Sequence, residues 1–470
     1  MRTGITFYQG EWMMEKYKKV LVANRGEIAV RIIKALRELG ISTVAVYSNV
    51  DKDSLHLRIA DEKVCIGDAR DSYLNVYKIL SVATKYNVDA IHPGIGFMAE
   101  SGEFARLCEQ YGIGFIGPAS DLIDAIGNKS NAKLIAKECQ VPVIEGATAP
   151  VNSYDECEEL GELIGFPVLL KATHGGGGKG IRIVKDKEKL KDNYNLCRIE
   201  AKAAFNNNEL LIEKAIQGFK HFEVQILGDT YGNIIHLGDR ECTIQRANQK
   251  VIEEARCINI EEEVRQKIYG DALKIAKHIN YVGPGTIEFL VLSNGDYYFL
   301  EMNTRLQVEH TITELVTGID IVKEQIRVFE GERLSITQED IKFDGYALQC
   351  RILAEDTLKD GMPSIGKITK WNMPGGFNVR VESGYGCGGV VSPYYDSLIA
   401  KLCCKAPDKA EAVKKMSVCL EEMNIEGINT NVDFLKYLLS RPEFLDGNYT
   451  EVFMSKILEE YQYHRLNSAI

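Results

Sequence analysis

The stretch Glu288-Phe-Leu-Val-Leu-Ser-Asn294-Gly295-Asp-Tyr-Tyr-Phe-Leu-Glu301 places an Asn-Gly pair between two apolar runs. Asn-Gly in this setting is the strongest short-range signal for a β-hairpin closed by a two-residue type I′ turn. With Asn294 and Gly295 as the loop, Glu288 and Glu301 stand directly opposite each other, and the β-carbons of such pairs lie about 4.5–5.5 Å apart. Because two facing carboxylates repel, the hairpin predicts a positive group between them.

A divalent metal ion is the positive group that these residues favour. Asn303 shares the face of Glu301 if the strand continues, since side chains alternate along a strand. Two carboxylates and an amide oxygen are hard ligands that suit Mg2+ or Mn2+, usually shared with substrate phosphates. The alternative is a pair of glutamates on a solvated face, which is disfavoured because Phe289 and Leu300 beside them are apolar. We therefore predict a metal site at Glu288, Glu301 and Asn303.

A glycine loop, Lys171-Ala-Thr-His-Gly-Gly-Gly-Gly-Lys179-Gly-Ile-Arg182, precedes this hairpin. Bare backbone amides can cradle phosphate oxygens. The loop is not a Walker motif, because Thr173 and Gly180 stand where that motif has a glycine and a magnesium-binding hydroxyl. Strands are predicted on both sides, at 166–172 and 181–184, so the glycines predict a hairpin tip able to close over a triphosphate. A plain solvent loop is the alternative, but four consecutive glycines cost conformational entropy without a packing gain.

Between Tyr17 and about Gly127, short apolar runs alternate with amphipathic segments. Such alternation is typical of a parallel sheet with helices on its faces. The first turn, Asn24-Arg25-Gly26-Glu27, lacks the G-x-G-x-x-G fingerprint, so a dinucleotide site is not supported. The predicted strands are 19–23, 43–47, 63–66, 90–92 and 114–116, and the predicted helices are 27–39, 77–85 and 103–111.

The sequence pattern changes after Asp344, where a strand is predicted at 346–353 and helices at 409–422 and 431–439. We therefore predict four parts for a chain of this length. They are an extension at 1–16, a first domain at 17–127, a second at 128–343 with a lid at about 143–215, and a third at 344–460.

Composition argues against several classes of protein. The 470 residues are 45% hydrophobic and 26% charged, as in globular chains. A net charge of −11 argues against a nucleic-acid partner, and no apolar run reaches the about 18 residues of a membrane helix. The twelve cysteines are scattered without a C-x-x-C pair, which favours reduced thiols in the cytoplasm over disulfides or a metal site.

The glycine loop, the hairpin and the segment Glu301-Met-Asn-Thr-Arg-Leu-Gln-Val-Glu-His310 together resemble the ATP-grasp enzymes. More narrowly, they resemble the biotin carboxylase component of biotin-dependent carboxylases, in motif order from about Tyr17 to Leu458. The resemblance implies an α/β protein with a Rossmann-like N-terminal domain, an ATP-grasp domain with a mobile glycine-rich lid, and an α+β C-terminal biotin carboxylase domain. The supporting motifs are Leu21-Val-Ala-Asn-Arg-Gly-Glu-Ile-Ala29, His92-Pro-Gly-Ile-Gly-Phe97, Gln245-Arg-Ala-Asn-Gln-Lys-Val-Ile-Glu-Glu254 and Gln349-Cys-Arg-Ile-Leu-Ala-Glu355.

The resemblance implies an ATP site. Two lysines would hold the phosphates as point charges. Two divalent cations (Mg2+ or Mn2+) on the predicted metal ligands would neutralise charge as the γ-phosphoryl group moves. The adenine would meet a hinge on the predicted strand 210–216. The implied nucleotide contacts are Lys129, Lys171, Gly176, Gly177, Gly178, Glu213, Lys214, Ile216, His221 and Gln245.

The resemblance also implies a site for bicarbonate and for biotin. Glu309 would be the base for bicarbonate, and Arg305 a forked clamp for that anion. Attack on ATP would give carboxyphosphate, whose breakdown yields CO2 and a phosphate basic enough to deprotonate biotin. Arg351 would stabilise the resulting enolate, a developing anion of the kind that fixed donors stabilise best. The other residues that match this site are Lys250, Gln307 and Val308.

The chain departs from the family pattern at a few positions. Ile95 replaces a tyrosine, Asn248 a histidine, His174 a small residue and Lys179 an arginine. None of these is a predicted metal ligand or the predicted base. They therefore bear on fine substrate geometry more than on the reaction.

The partners that the resemblance implies are a biotin carboxyl carrier protein, a carboxyltransferase and a second copy of the chain in a homodimer. No Met-Lys-Met biotin-attachment motif occurs, so we expect the carrier to act in trans. We expect the acceptor to be acetyl-CoA, in fatty acid synthesis, with propionyl-CoA or pyruvate as alternatives. Another ATP-grasp ligase is disfavoured by the motif Gln307-Val-Glu-His310. An inactive nucleotide-binding regulatory subunit is disfavoured because the predicted ligands and base are all present.

Overall fold

The computed structural model describes residues 16–173 and 180–467. The N-terminal part runs β1 (Lys19–Val22), α1 (Gly26–Glu38), β2 (Ser42–Tyr47), α2 (His56–Ile59), β3 (Glu62–Cys65), α3 (Val76–Lys85), β4 (Ala90–His92), α4 (Gly102–Gln110), β5 (Gly114–Phe115) and α5 (Ser120–Gly127). Its strands form a parallel sheet in the order β3-β2-β1-β4-β5. The predicted alternation of strands and helices is confirmed, within one residue at each predicted end. The central strand β1 is buried on both faces, as its unbroken apolar run requires.

The middle part contains a small sheet and most of a large one. It runs α6 (Lys129–Glu138), α7 (Tyr154–Ile164), β6 (Val168–Ala172), β7 (Ile181–Val184), α8 (Leu190–Phe205), β8 (Leu210–Lys214), β9 (Phe219–Gly228), β10 (Ile234–Arg246), β11 (Gln249–Ala255), α9 (Glu262–His278), β12 (Gly283–Leu292), β13 (Tyr297–Asn303), α10 (His310–Thr317) and α11 (Ile321–Phe329). The small sheet is antiparallel, in the order β7-β6-β8, with α7 and α8 packed on one face.

The strands predicted around the glycine loop pair as a hairpin, with Lys171 opposite Ile181. Strand β6 starts at Val168 rather than at 166, because Pro167 has no amide hydrogen to donate. The tip, with the predicted contacts Gly176, Gly177 and Gly178, lies outside the described residues. The predicted strand 210–216 is too long: β8 ends at 214, and Ile216 lies beyond it, before the turn at Gly218 that leads into β9.

The C-terminal part runs β14 (Tyr346–Leu353), β15 (Glu355–Asp356), β16 (Met362–Pro363), β17 (Gly366–Lys367), β18 (Lys370–Asn372), β19 (Val379–Ser383), β20 (Val390–Val391), β21 (Leu398–Ala406), α12 (Lys409–Glu422), β22 (Asn424–Glu426), α13 (Val432–Leu439), α14 (Pro442–Leu445) and α15 (Phe453–Asn467). One eight-stranded sheet, in the order β13-β12-β9-β10-β11-β14-β21-β19, joins the middle and C-terminal parts. The antiparallel pair of β11 and β14 forms the seam of this sheet. Within the described ranges, no helix is long and apolar enough to span a membrane.

The hairpin of β12 and β13 closes differently from the prediction. Leu292 and Asp296 form the closing pair, so the loop has three residues, 293–295, rather than two. Gly295 has a φ of +86°, whereas Asn294 is not in the left-handed region, which a type I′ turn would require. A three-residue loop with glycine in that region is the next common way to close a hairpin.

A β-bulge at Leu300 restores the predicted register, so Glu288 does face Glu301. The bulge has a physical reason, because regular alternation would place Phe299 on the same face as Glu301. With the extra residue, Phe299 and Met302 both pack into the core beneath the sheet while Glu301 keeps the opposite face.

Candidate active site

Lys250 lies at the centre of a buried charge cluster. Its Nζ is 2.5 Å from a carboxylate oxygen of Glu223, 2.6 Å from Glu309 and 3.1 Å from Glu288. The sheet brings these groups together, because Glu223 on β9 pairs with Glu288 on β12. Burial by itself would lower the pKa of Lys250, but the three carboxylates raise that pKa well above its ordinary value. Lys250 therefore stays charged and balances the acids around it.

Glu309, the predicted base, lies between two cations. Its Oε1 is 2.6 Å from Nζ of Lys250, and its Oε2 accepts a hydrogen bond of 3.0 Å from Nη2 of Arg351. Complete burial raises the pKa of this carboxyl, but the two cations outweigh burial and hold the pKa well below its ordinary value. Glu309 is therefore ionised, as a base must be, yet it accepts a proton weakly while both contacts persist.

Arg351, on β14, is held by two carboxylates. Its Nε donates to Oε1 of Glu253 at 2.5 Å, while its Nη2 donates to Glu309. Glu253 lies across the seam on β11 and is completely buried. The predicted residues Lys250, Glu309 and Arg351 thus form one contiguous group.

Arg305 follows β13 and donates hydrogen bonds to three side chains. Its Nε donates to Oε2 of Glu100 at 2.9 Å, its Nη2 to Oδ1 of Asn303 at 3.1 Å, and its Nη1 to Oε1 of Gln307 at 3.2 Å. The amide nitrogen of Gln307 is buried and has no hydrogen-bond partner among the described residues. That amide is therefore a donor available to an anion beside Arg305.

The segment between Arg305 and Glu309 is linked through Lys401 to one element of the C-terminal part and one of the N-terminal part. The carbonyl oxygen of Val308 accepts a hydrogen bond of 2.8 Å from Nζ of Lys401 on β21. Lys401 is completely buried and also lies 3.1 Å from a carboxylate oxygen of Glu27 on α1. Because α1 and β21 are parts of rigid layers, this lysine fixes the backbone that carries the predicted anion site.

The predicted metal ligands are only partly together. Nδ2 of Asn303 donates to Oε1 of Glu288 at 2.8 Å, and both residues are buried. Glu301 shares their face of the hairpin, but its carboxylate lies 3.7 Å from Nζ of Lys129 instead, and its side chain is 38% exposed. The cations that balance the facing carboxylates are therefore protein groups: Lys250 at Glu288 and Lys129 at Glu301.

His221 and Gln245 complete the environment of Glu288. Nε2 of His221 lies 2.6 Å from Oε2 of Glu288, so the ring carries its proton on that nitrogen. The side-chain amide of Gln245 then donates to Nδ1 of His221 at 3.1 Å and to the carbonyl of Cys242 at 2.7 Å. His221, Glu223 and Glu288 are close enough to share a cation, but the ammonium of Lys250 already bridges the two acids.

The small sheet carries the other predicted nucleotide contacts. Nζ of Lys171 is 2.6 Å from Glu213, and Nζ of Lys133 is 2.8 Å from the same carboxylate. Burial raises the pKa of Glu213, but the two lysines outweigh burial and lower it. The side chain of Lys214 points elsewhere, donating to the carbonyl oxygens of Gly165 at 2.7 Å and of residue 166 at 3.3 Å.

An apolar strip flanks Lys171 on the same face of this sheet. Leu169 pairs with Ile183, and Lys171 pairs with Ile181, so the four side chains lie together. Ile181 and Ile183 are 37% and 51% exposed, which is unusual for isoleucines on a sheet. An apolar face beside a lysine suits a flat base attached to phosphates.

Several residues of this site were missed by sequence reasoning: Glu100, Lys133, Glu223, Arg240 and Glu253. Arg240 is fully buried and donates to Glu223 at 2.5 Å and to Gln225 at 2.7 Å. One signal was present, because polar His221, Glu223 and Gln225 alternate with apolar residues along β9. Lys133 and Glu100 had no comparable signal, because they lie in a helix and a loop far away in sequence.

Two departures from the family pattern can be located. Asn248 and Ala247 form the two-residue loop between β10 and β11, at φ values of +61° and +48°. Asparagine tolerates this left-handed conformation better than most residues. Ile95 packs against the N-terminal core, and its carbonyl accepts a hydrogen bond of 2.8 Å from Asn24. His174 and Lys179 lie outside the described residues.

Known protein families match almost the whole chain. Residues 16–123 match the family described as biotin carboxylase, N-terminal domain; residues 128–337 match the ATP-binding domain of the carbamoyl-phosphate synthase L chain; and residues 349–456 match the biotin carboxylase C-terminal domain.

Individual proteins are similar over nearly the full length. The chain is 48% identical to biotin carboxylase 1 of Bacillus subtilis over 447 residues, which cover 94% of this chain and 98% of that protein. It is 47% identical to pyruvate carboxylase of Staphylococcus aureus over 456 residues, which cover 95% of this chain and 40% of that protein. A solved structure of the biotin carboxylase domain dimer of Hydrogenobacter thermophilus 2-oxoglutarate carboxylase, with MgADP, ADP and bicarbonate, matches with a TM-score of 0.92. That match has 46% identity and covers 94% of this chain and 99% of the other.

Proposed function

Since the chain belongs to the biotin carboxylase family, we propose that it is a ligase that uses ATP and bicarbonate to carboxylate biotin held on a carrier protein. The observation that carries the proposal is the buried, ionised Glu309 held between Lys250 and Arg351. A carboxylate between two cations suits a site for two anionic substrates, because each substrate anion can replace the carboxylate at one of the two cations. The related H. thermophilus dimer holds MgADP and bicarbonate, which supports the same ligands here.

ATP would bind between the small sheet and the carboxylate face of the hairpin of β12 and β13. Lys171 and Lys129 would meet the phosphates, and the strip of Leu169, Ile181 and Ile183 would meet the base. The ion pair of Lys171 with the buried Glu213 supports this role, because it holds the ammonium in place on the sheet. The backbone near Ile216 would contact the adenine edge.

Magnesium or manganese would be held by Glu288, Asn303 and Glu301. The residues fit, because the buried carboxylate of Glu288 and the buried side-chain amide of Asn303 are in hydrogen-bond contact, and a second carboxylate, that of Glu301, lies on the same face. Asn303 now donates its amide hydrogen to Glu288, so holding a cation requires the amide to present its oxygen instead. When bound, the metal would neutralise charge on the transferring phosphate.

The reaction divides between two groups of residues. Arg305 and the amide of Gln307 would orient bicarbonate. Glu309 would take the proton of bicarbonate as a bicarbonate oxygen attacks the γ-phosphoryl group of ATP and ADP leaves. The carboxyphosphate formed would break down to CO2 and phosphate, and the phosphate would deprotonate biotin. Arg351 would then stabilise the biotin enolate, which attacks CO2 to give carboxybiotin, since a fixed guanidinium needs no reorganisation as charge develops.

The acceptor that we propose is acetyl-CoA, in fatty acid synthesis, through a carboxyltransferase partner and a biotin carboxyl carrier protein. The match over 98% of the B. subtilis biotin carboxylase supports a component of this kind. Pyruvate is the second candidate, because the identity to S. aureus pyruvate carboxylase is nearly as high. We also propose a homodimer, as the related domain was solved as one.

The activity can be tested with the purified protein, ATP, labelled bicarbonate and free biotin. We expect phosphate release that requires Mg2+ and bicarbonate, together with capture of label on biotin. Phosphate release without biotin-dependent capture would contradict the proposal. Assays with the co-purifying carrier and transferase, offered acetyl-CoA, propionyl-CoA or pyruvate in turn, would identify the acceptor.

A further inference from the structure

Two of the three guanidinium nitrogens of Arg351 donate hydrogen bonds to carboxylates. Its Nε is committed to Glu253 at 2.5 Å, and its Nη2 to Glu309 at 3.0 Å. Its Nη1 has no hydrogen-bond partner among the described residues, yet it is not one of the buried unpartnered atoms. Nη1 is therefore the nitrogen that solvent, or a substrate, can reach.

The two carboxylates that hold Arg351 are not equivalent. Glu309 lies in the loop before α10 and contacts Lys250 as well, so its hold on Arg351 changes whenever it takes or loses a proton. Glu253 lies within a central strand of the sheet and contacts no second cation among the described residues. Of the two, only Glu253 can keep the guanidinium in place through a change in protonation at Glu309.

Glu253 is itself fixed from behind by a buried chain of hydrogen bonds. Its Oε2 accepts from Nε2 of Gln349 at 3.0 Å, and Oε1 of Gln349 accepts from the hydroxyl of Thr311. All three residues are completely buried. Glu253 is therefore shielded from substrate, and Arg351 is the residue of the proposed site that it contacts directly.

We propose that Glu253 is a positioning residue for biotin carboxylation, whose buried carboxylate holds the guanidinium of Arg351 so that Nη1 faces the biotin enolate. The inference rests on the proposed function. A guanidinium held at Nε by a fixed carboxylate keeps its orientation and its charge when Glu309 takes the proton of bicarbonate. Without Glu253, Arg351 would follow Glu309, and the enolate would form without its donor in place.

The neighbouring residue offers a matched control. Glu254 has the same side chain, is equally buried and lies on the same strand, but it faces the other side of the sheet. There it lies 2.7 Å from Nζ of Lys409 and bonds the hydroxyl of Tyr449. Replacing Glu254 removes a buried ion pair of the same kind without touching Arg351.

The experiment compares Glu253→Gln, Glu254→Gln, Arg351→Ala and the double variant Glu253→Gln/Arg351→Ala. Phosphate release and capture of labelled bicarbonate on free biotin are measured in the same full-length preparations. We expect Glu253→Gln to lower capture by about 10–100-fold, as loss of an orienting partner typically does, while phosphate release persists. The ratio of phosphate released to biotin carboxylated should then rise at least tenfold, whereas Glu254→Gln should leave this ratio at the native value.

The double variant separates positioning from general stability. If Glu253 acts only through Arg351, adding Glu253→Gln to Arg351→Ala should change the ratio no further. A multiplied effect in the double variant would overturn the inference. So would a native ratio in Glu253→Gln, or an equal loss of phosphate release and capture.

Two further comparisons keep the result interpretable. If Glu253→Gln does not fold, Glu253→Asp keeps the charge but withdraws the oxygen, and the same rise in ratio is expected. Native protein that captures no label would overturn the proposed function itself, whereas native capture beside a native ratio in the Glu253 variants would overturn only the role of Glu253.

Discussion

At the scale of single residues, the site is built from carboxylates and cations that are buried together. Each carboxylate around Lys250 would be costly to bury alone, because isolated charges lose several kcal/mol of hydration. The cost is offset by pairing, so that Glu223, Glu288 and Glu309 each meet at least one cation. Removing one member of such a cluster leaves its partner uncompensated, which makes single substitutions here informative.

The first prediction separates the two chemical halves of the reaction. Glu309→Gln should abolish both bicarbonate-dependent ATP cleavage and biotin carboxylation, because it removes the proposed base. Arg351→Ala should spare much of the ATP cleavage but lower carboxybiotin formation by ~10²–10³, the usual effect of removing one fixed donor from a developing anion. Phosphate release and label capture, measured together, check the prediction. Equal losses in Arg351→Ala would assign that residue to the shared first step.

The second prediction concerns the metal. Glu288→Gln should remove ATP cleavage, because losing a charged ligand costs several kcal/mol of phosphoryl-transfer stabilisation, on the order of 10³-fold or more in rate. Excess Mn2+ is expected to restore part of the activity. Circular dichroism and a melting curve would show that the fold is kept. Native turnover in this variant would rule out Glu288 as a ligand.

The residues that sequence reasoning found and missed differ in a physical way. Glu309, Lys250 and Arg351 stand in recognisable motifs, whereas Lys133 and Glu100 act by contact across the fold. Glu253 stands in the same motif as Lys250, but nothing in that motif shows that its carboxylate contacts Arg351. Lys133 reaches Glu213 from a helix 80 positions earlier, and Glu100 reaches Arg305 from 205 positions away. No local pattern carries such information, because it depends on how layers pack.

At the scale of elements, the hairpin of β12 and β13 is the most instructive. The facing of Glu288 and Glu301 was predicted from a two-residue turn, and the facing is right although the turn is wrong. A longer loop and a bulge at Leu300 cancel each other. The bulge had a signal in the sequence, because two core residues, Phe299 and Met302, stand three apart rather than two.

The elements predicted in the N-terminal part followed from periodicity alone. The strands and helices predicted there are bounded by polar turns, and their predicted ends agree with the structure within one residue. The strand predicted at 210–216 is two residues too long, because Ala215 and Ile216 are apolar and the local pattern does not show where the strand ends.

The third prediction concerns the small sheet. If ATP binds against Lys171 and the strip of Leu169, Ile181 and Ile183, amide exchange in β6 and β7 should slow when a non-hydrolysable ATP analogue and Mg2+ are added. Strand β1, buried in another layer, serves as the internal control. Equal exchange in β6 and β7 with and without the analogue would argue that ATP does not bind at this face.

At the scale of the whole molecule, buried neutral histidines set a limit on acid stability. Burial lowers the pKa of His56 to about 4, of His236 to about 4 and of His92 to about 3. Each folded pKa is below the unfolded value near 6.5, so the unfolded chain binds protons more readily. Stability is therefore full above about pH 6.5 and is lost as the pH falls towards 4.

The fourth prediction tests that limit at His56. Between pH 7 and pH 5, this residue alone should cost about 2 kcal/mol of folding free energy. Its ring contacts the carbonyl of Val46 at 3.4 Å, a bond that glutamine can imitate. The melting temperature of His56→Gln should consequently fall less between pH 7 and pH 5 than that of the native protein. An identical fall in both proteins would mean that His56 titrates normally in the folded state.

The seam between β11 and β14 also bears on how the protein is made. A ribosome delivers the chain from its N-terminus, so β11 emerges with Lys250 and Glu253 long before β14 brings Arg351. During that interval β11 is an open edge, and Glu253 and Glu254 still lack Arg351 and Lys409. Unpaired carboxylates on this exposed strand repel the same strand of another nascent chain, which disfavours intermolecular strand pairing at β11. These carboxylates thus oppose wrong pairing of β11 during synthesis, and the cluster that contains Arg351 is completed only when the last third of the chain arrives.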